Sequence, residues 1–487
     1  MVESTPAVDR AAVSRGRTAP PLWAVAFVAC AGQFLIILDV SVMNVALPPV
    51  RADLGMSASA LQWVVNAYSI TFAGLQLLGG RAGDLFGRKR VFLFGLAVFT
   101  LASLGGGLAQ EPWQLVVARA AQGFGAAVLS PSTLTLVTSA VPEGPARSRA
   151  IGTWVAVGAG GGASGGLIGG VLTDALSWRW VLLVNVPIGA LVFLAGLHWL
   201  AESRGVRRRL DVPGAALVTG GLAALAYGIV QTERAGWGAW QALAPMSGGL
   251  GLLALFAYVE SRAAAPLVPL GLFRIRAIAG ANTAMFAVGA AMFGSWYFLT
   301  LQMQNVLGYT PVEAGLAFLP LSLVIVVASK LGPRLMAVLG TRRTALAGCA
   351  VSLAGYVWQS VALTPDGGYA VHLLGPGLLM MFGAGVLTTP LVNAATSGVP
   401  AGDAGVVSGV CNTSRMMGGS VGLAVLATVA AATTGAHETP AALTDGYATA
   451  FRTSAWMLAG TLVLMWLVLP RDRRAGAADS VSAVSAP

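Results

Sequence analysis

A chain of 487 residues that is 56% hydrophobic and only 10% charged, with a mean hydropathy of +0.76, is not a soluble protein. A soluble domain carries about a quarter charged residues. The net charge of +10 does not point to nucleic acid either, because the cations are scattered among short loops rather than gathered on one polar face.

Residues 1–20, with Arg10, Arg15 and Arg17, read as a disordered polar tail. The apolar run from Leu22 to about Leu47 is too long for the core of a signal peptide and lacks a cleavage site, so it reads as an uncleaved first span. Further runs follow near 61–80, 91–109, 114–138, 150–172, 179–200, 212–231, 243–260, 277–300, 312–333, 344–363, 371–396, 405–434 and 451–469. Each is long enough to cross hydrocarbon of about 30 Å. The expectation is an all-α integral membrane protein with fourteen transmembrane helices. A first six-helix bundle spans 21–200, two extra spans lie within a linker at 201–276, a second six-helix bundle spans 277–470, and a tail covers 471–487.

Orientation follows from the loops. With an even span count and both termini cytoplasmic, the inside segments hold Arg81–Arg90, Arg147–Arg149, Arg204–Arg209, Arg262–Arg276, Arg334–Arg343 and Arg471–Arg474. The outside loops hold Arg51, Arg179, Arg234 and Arg452, so the positive-inside rule is satisfied throughout. The expected location is a bacterial cytoplasmic membrane. Cys30, Cys349 and Cys411 lie in apolar runs without metal-like spacing, and His198, His372 and His437 are isolated. No phosphate-binding Gly-x-x-x-x-Gly-Lys-Ser/Thr stretch occurs, so no nucleotide is implied.

Between spans 2 and 3, Gly80 to Val91 reads as a short glycine-rich basic loop. It recurs in weaker form. At an offset of 253, Leu54-Gly55 maps onto Leu307-Gly308, Gly87 onto Gly340 and Lys89-Arg90 onto Arg342-Arg343, with Ala337 where Asp84 stands. Near an offset of 257, Gly152, Gly161-Gly162 and Gly165 map onto Gly409, Gly418-Gly419 and Gly422. Two related six-span bundles with a pair inserted between them is the architecture of a rocking transporter with its substrate site at the interface.

Several stretches resemble a known family in the family's own order. Leu38-Asp39-Val-Ser-Val-Met-Asn44-Val-Ala-Leu-Pro48, the Gly80–Val91 loop, Arg119-Ala-Ala-Gln122-Gly-Phe-Gly125, Trp178-Arg-Trp180 with Asn185-Val-Pro-Ile-Gly189, and Asn412-Thr-Ser-Arg415-Met-Met-Gly418-Gly419 are similar to motifs of the major facilitator superfamily, in its fourteen-span drug/proton antiporter group. One departure stands out: Gly166 occupies the place of the proline usual in the fifth-span motif. The resemblance implies proton-coupled efflux of lipophilic drugs, cationic ones among them, or of an antibiotic or other secondary metabolite, by alternating access. It implies no enzyme activity and no cofactor, with protons as the coupling ion. The partners would be a small-molecule substrate and the bilayer, without nucleic acid, and a monomer is expected. The alternative is a transporter of one metabolite, such as an amino acid, a peptide or a siderophore. A receptor or membrane enzyme is a weaker third reading, because no spacing of His, Cys or acids suggests catalysis and the tails are short.

An acid inside hydrocarbon must be paired, hydrated or protonated. Asp39 therefore reads as a proton site facing a cavity, or else as a structural hydrogen-bond acceptor near Ser41 or Asn44. Arg119, a few residues into span 4, is its candidate partner or a cation snorkelling to the interface. On the proton-site reading, Asp39→Asn removes gradient-driven export while leaving the fold intact. Gating is assigned to Gly80, Asp84, Gly87, Arg88 and Glu143. Within the family fold, Asp84 would face the N-terminus of span 13 near 405–408, and Arg88 would pair with Glu143. Gly158, Gly165, Gly169 and Gly170 are helix-packing candidates. Arg415 reads as an anchor or a cavity cation. The remaining substrate-cavity candidates are Asn44, Trp63, Asn66, Tyr68, Trp154, Phe286, Met292, Trp296, Tyr297, Gln302, Met381, Asn393 and Met417, since Met and aromatic surfaces adapt to varied ligands. Each also has a plainer reading as a packing or lipid-facing residue.

Overall fold

The computed structural model describes residues 21–141, 145–202, 211–263, 266, 268, 270–396, 404–435 and 439–470. Long helices follow one another: α1 Leu22–Leu54, α2 Ala58–Phe86, α3 Arg88–Gly107, α4 Pro112–Ala140, α5 Pro145–Ala175, α6 Trp180–Trp199, α7 Val212–Ala235 and α8 Trp240–Arg262. They continue with α9 Arg276–Leu301, α10 Pro311–Leu339, α11 Thr341–Ala362, α12 Gly375–Thr396, α13 Ala404–Thr434 and α14 Pro440–Val468. Starts are marked by local chemistry. Ser57 and Thr439 accept backbone N–H groups of Ala60 and Ala442, and Thr310 with Glu313 forms a reciprocal capping box ahead of Pro311. The helix α6 is interrupted at Val184, because Pro187 offers no N–H to the Leu183 carbonyl. Single π-helical turns extend α9 (Gln302–Val306) and precede α12 (Ala370–Leu374).

Twelve of the described segments are long and apolar enough to cross a membrane; α2 and α4 are the two long helices outside that set. Their polar residues, Gln62, Asn66 and Gln76 on α2 and Arg119 and Gln122 on α4, dilute the apolar run, and most of them turn out to be buried. The chain is a multi-pass all-α membrane protein.

Packing gives two sets of helices. In the first, α4 lies against α2 and α3 while α1 lies against α5; in the second, α12 lies against α10 and α11 while α9 lies against α13. The sets meet along two seams, α2 with α13 and α5 with α10. The inserted helix α7 packs on both α2 and α13, and α8 packs on α7. The seam contact is intimate: Trp63 of α2 meets Tyr227 of α7, and the Thr428 hydroxyl of α13 donates to the Ile229 carbonyl.

The internal repeat is visible in the backbone. Gly55 and Gly308 have φ of 60° and 70°, and Gly87 and Gly340 have φ of 96° and 86°, all in the region that favours glycine. Gly87 and Gly340 are the whole connection between α2 and α3 and between α10 and α11. The expected loop from Gly80 to Val91 is thus corrected to a one-residue hinge. Helix propensity carries Arg81 to Phe86 and Arg88 to Arg90 onward as helix, since polar residues end a membrane span without ending a helix. The cations after each hinge do equivalent work. Lys89 Nζ donates to the Leu197 carbonyl in the last turn of α6 at 2.7 Å, and Arg342 donates to the Trp466 carbonyl in the last turn of α14. Both satisfy a carbonyl that the helix end leaves open.

The end of the molecule with the Gly87 and Gly340 hinges is called the basic end here. At the other end α5 and α10 touch closely. A Cβ on Gly170 would lie 2.8 Å from Val312 Cα, and one on Gly315 would collide with the Gly166 carbonyl. Gly152 lies about five turns from Gly170 on the same face of α5 and has nothing within 4 Å of its Cβ position. The two helices are closed against each other at the end opposite the basic one and part toward the basic end.

Candidate functional site

The most polar buried point in the described residues surrounds Asp39. Arg119 and Gln122 are three apart on α4 and so share a face. Arg119 Nη1 donates to Asp39 Oδ2 at 2.6 Å, Gln122 Nε2 to Asp39 Oδ1 at 3.0 Å, and Asn185 Nδ2 of α6 to the same oxygen at 2.9 Å. Arg119 is held in turn by the Val64 carbonyl of α2 at 3.0 Å, by Gln122 Oε1 at 2.8 Å, and by the Tyr68 ring 4.4 Å below its guanidinium. Gln122 also donates to Ser103 Oγ of α3 at 2.7 Å. Asp39 has no exposed surface and Arg119 has 2%.

Sequence reasoning proposed the Asp39–Arg119 contact, and the structure brings the two together. The expected cavity is corrected: five helices close round the carboxylate. Ser41 and Asn44 are not its partners, because Ser41 donates to the Gly162 carbonyl of α5 and Asn44 to Val40 of its own helix. Gln122 and Asn185 were missed as its partners, although both stand in motif stretches already singled out, and Ser103 was missed as the acceptor behind Gln122. Arg119 is buried rather than snorkelling.

A second polar chain crosses between the bundles. Asn412 Nδ2 of α13 donates to Gln76 Oε1 of α2 at 3.0 Å, and Arg415 Nη2 donates to Asn412 Oδ1 at 2.9 Å. Gln76 was not singled out from sequence; its position about three turns before the hinge was the available signal. Of the gating residues, Gly87 is the hinge, while a Cβ on Gly80 would make only ordinary contact with Pro131 at 3.6 Å. Glu143, the expected partner of Arg88, lies outside the described residues, as do the side chain of Asp84 and those of 405, 406 and 408 at the start of α13 that it was expected to face. Three of the packing glycines are required by close approach. Gly165 and Gly169 sit against Ser41 and Val42 of α1, and Gly170 against α10, whereas Gly158 has only ordinary contact with Gln33.

Comparison with known proteins bears on this arrangement. The family model described as Major Facilitator Superfamily matches residues 29–423. The chain belongs to the Major Facilitator Superfamily. It is 48% identical over 449 residues to the "Cephamycin export protein CmcT" of Amycolatopsis lactamdurans, covering 91% of this chain and 92% of that protein. It is 39% identical over 479 residues to the "Puromycin resistance protein pur8" of Streptomyces alboniger, covering 96% and 94%. In fold it is similar to an auto-inhibited POT family peptide transporter, with a TM-score of 0.65 and 15% identity, covering 93% of this chain and 98% of that one.

Within this Major Facilitator fold the other cavity candidates divide by burial. Tyr68 lies under Arg119 inside the first bundle, and Tyr297, Gln302 and Met381 are buried in the second; Gln302 faces Thr444 and the Thr364 carbonyl. Asn66 is fully buried with neither amide atom bonded in the structure. Trp63 faces α7, and Asn393 is exposed at the basic end, bonded to Thr341. In this conformer these positions lie inside the bundles, against α7 for Trp63, or at the exposed basic end for Asn393. Half-buried residues remain: Asn44, Trp154, Phe286, Met292, Trp296, Arg415 and Met417. Trp296 lies against Phe318 of α10 with ring centroids 4.7 Å apart, and Trp154 donates to Thr133 at 3.0 Å.

Proposed function

We propose that this protein exports an antibiotic or a related lipophilic small molecule across a bacterial cytoplasmic membrane by proton-coupled alternating access. The observation that carries the reading is the 48% identity, over nine-tenths of both chains, to a cephamycin export protein. The resistance protein for puromycin, a chemically different antibiotic, supports an efflux role at lower identity. The distribution of arginines supports a cytoplasmic position for the basic end. The conformer is then inward-facing: closed outside through Gly166, Gly170 and Gly315, and parted inside along α5 and α10.

The Asp39–Arg119 pair is the candidate proton site. A carboxylate enclosed by five helices can exchange a proton only when they part, which ties protonation to a conformational step. The half-buried residues near the bundle interface, Asn44, Trp154, Met292, Trp296 and Met417, are the candidate substrate contacts. Export needs no nucleotide, since an elementary charge moving down 100 mV supplies about 2.3 kcal/mol and a pH gradient adds to it.

The test is uptake of a cephamycin-type β-lactam and of puromycin into everted membrane vesicles under an imposed acid-inside gradient. Accumulation that collapses on adding a protonophore is expected. Accumulation indifferent to the protonophore would overturn proton coupling, and no accumulation of either compound would overturn the substrate class.

A further inference from the structure

A hydrogen bond between the bundles at the end opposite the hinges has an unusual acceptor. Gln304 Nε2 donates to the backbone carbonyl of Val45 at 2.8 Å. Val45 lies in α1, within the first bundle, and Gln304 lies in the π-helical turn that ends α9, in the second. In a regular helix the Val45 carbonyl would accept from the N–H of residue 49. Residue 49 is proline, and so is residue 48. Proline has no N–H, so the carbonyl is left for another donor.

The donor is also specially presented. Gln302 and Gln304 are two residues apart, about 200° round a helix. Gln302 turns into the second bundle toward Thr444 and the Thr364 carbonyl, while Gln304 reaches across to the first. The π turn, followed after Leu307 by Gly308 with φ of 70°, gives that reach without breaking the helix from its bundle. Beside the bond, Pro48 and Arg51 of α1, Asn305 of the π turn and Leu443 of α14 line a surface groove where the bundles separate. The closed contact therefore ends at this bond.

We infer that the Gln304–Val45 hydrogen bond is a latch holding this end shut, made when α1 and α9 approach and broken when the end opens. An uncharged side chain to carbonyl bond suits the role. It is strong enough to bias a two-state equilibrium, and weak enough to break in each cycle without desolvating a charge. The inference rests on alternating access as a family property and not on the identity of the substrate, so failure of the export assay would leave it standing.

The test uses the full-length protein in nanodiscs with the native cysteines replaced by alanine and spin labels on cysteines at Ala52 of α1 and Ala441 of α14, both exposed at this end. Pulsed electron spin resonance reads the two distance populations. Gln304→Leu removes the donor, and Gln304→Glu substitutes an acceptor-only side chain. Pro49→Ala supplies an intrahelical N–H that competes for the carbonyl from the other side of the bond. All three are expected to raise the longer-distance population, roughly two- to tenfold relative to the shorter one. Distributions unchanged from the parent in the Gln304 variants would overturn the latch. A shift in those variants that Pro49→Ala does not reproduce would also overturn it, because an available Val45 carbonyl is its premise.

Discussion

Neutralising one member of the Asp39–Arg119 pair should cost far more than the pair itself contributes. At the observed 2.6 Å the charges attract by about 6 kcal/mol for an effective dielectric of about 20. Burying two ions costs several kcal/mol each, so the net contribution of the pair is small. Asp39→Asn keeps the shape but strands the Arg119 charge, leaving it the Val64 carbonyl, Gln122 Oε1 and the Tyr68 ring. Arg119→Met strands the Asp39 carboxylate with only Gln122 and Asn185. Each single variant should lose about 3–5 kcal/mol, and the double variant, with no stranded charge, should be no worse than either one. Unfolding of the purified protein in detergent, followed by tryptophan fluorescence against increasing denaturant, gives the three values. Additive losses, with the double variant worst, would refute a coupled buried pair. It follows that Asp39→Asn is not the silent neutralisation that the sequence suggests, and transport by that variant must be normalised to folded protein.

Asp53 provides the contrast. It accepts from Trp178 and from Arg179 at 2.8 Å near the surface, so Asp53→Asn should cost less than about 1 kcal/mol in the same denaturant assay. Gly87→Ala and Gly340→Ala should each cost about 1–3 kcal/mol through positive φ, while Gly83→Ala, with open space at its Cβ inside α2, should be neutral or gain up to about 1 kcal/mol. Gly315→Ala drives a methyl into the Gly166 carbonyl and should cost about 1–3 kcal/mol and slow vesicle uptake, whereas Gly152→Ala on the parted stretch of α5 should do neither.

The repeat was legible from sequence because positive-φ glycines leave a spacing that survives divergence: Gly55 with Gly308, and Gly87 with Gly340. The contact of Asp39 with Arg119 was legible too, since two opposite charges at matching depth in hydrocarbon need each other. Gln122 and Asn185 were not legible as its other partners. A lone neutral polar residue in an apolar run bears no periodic relation to a charge on another helix. That Tyr68, Tyr297 and Met381 are buried was not legible for a related reason, because every face of a membrane helix is apolar and composition does not reveal phase. The Gly80–Val91 loop was misjudged since charge marks where the bilayer ends, not where the helix does.

The position of α7 has a consequence for how a lipophilic molecule could reach the centre. A twofold-related pair of bundles has two lateral doors to lipid, one along each seam. Here α7 lies across the α2–α13 door, with Trp63 against Tyr227 and Thr428 bonded to Ile229. Among the described residues no helix lies across the α5–α10 door in this way, and the door is ajar toward the basic end. On the export reading, the insertion turns a symmetric entrance into a one-sided one, and a compound dissolved in the leaflet would enter from the α5–α10 flank.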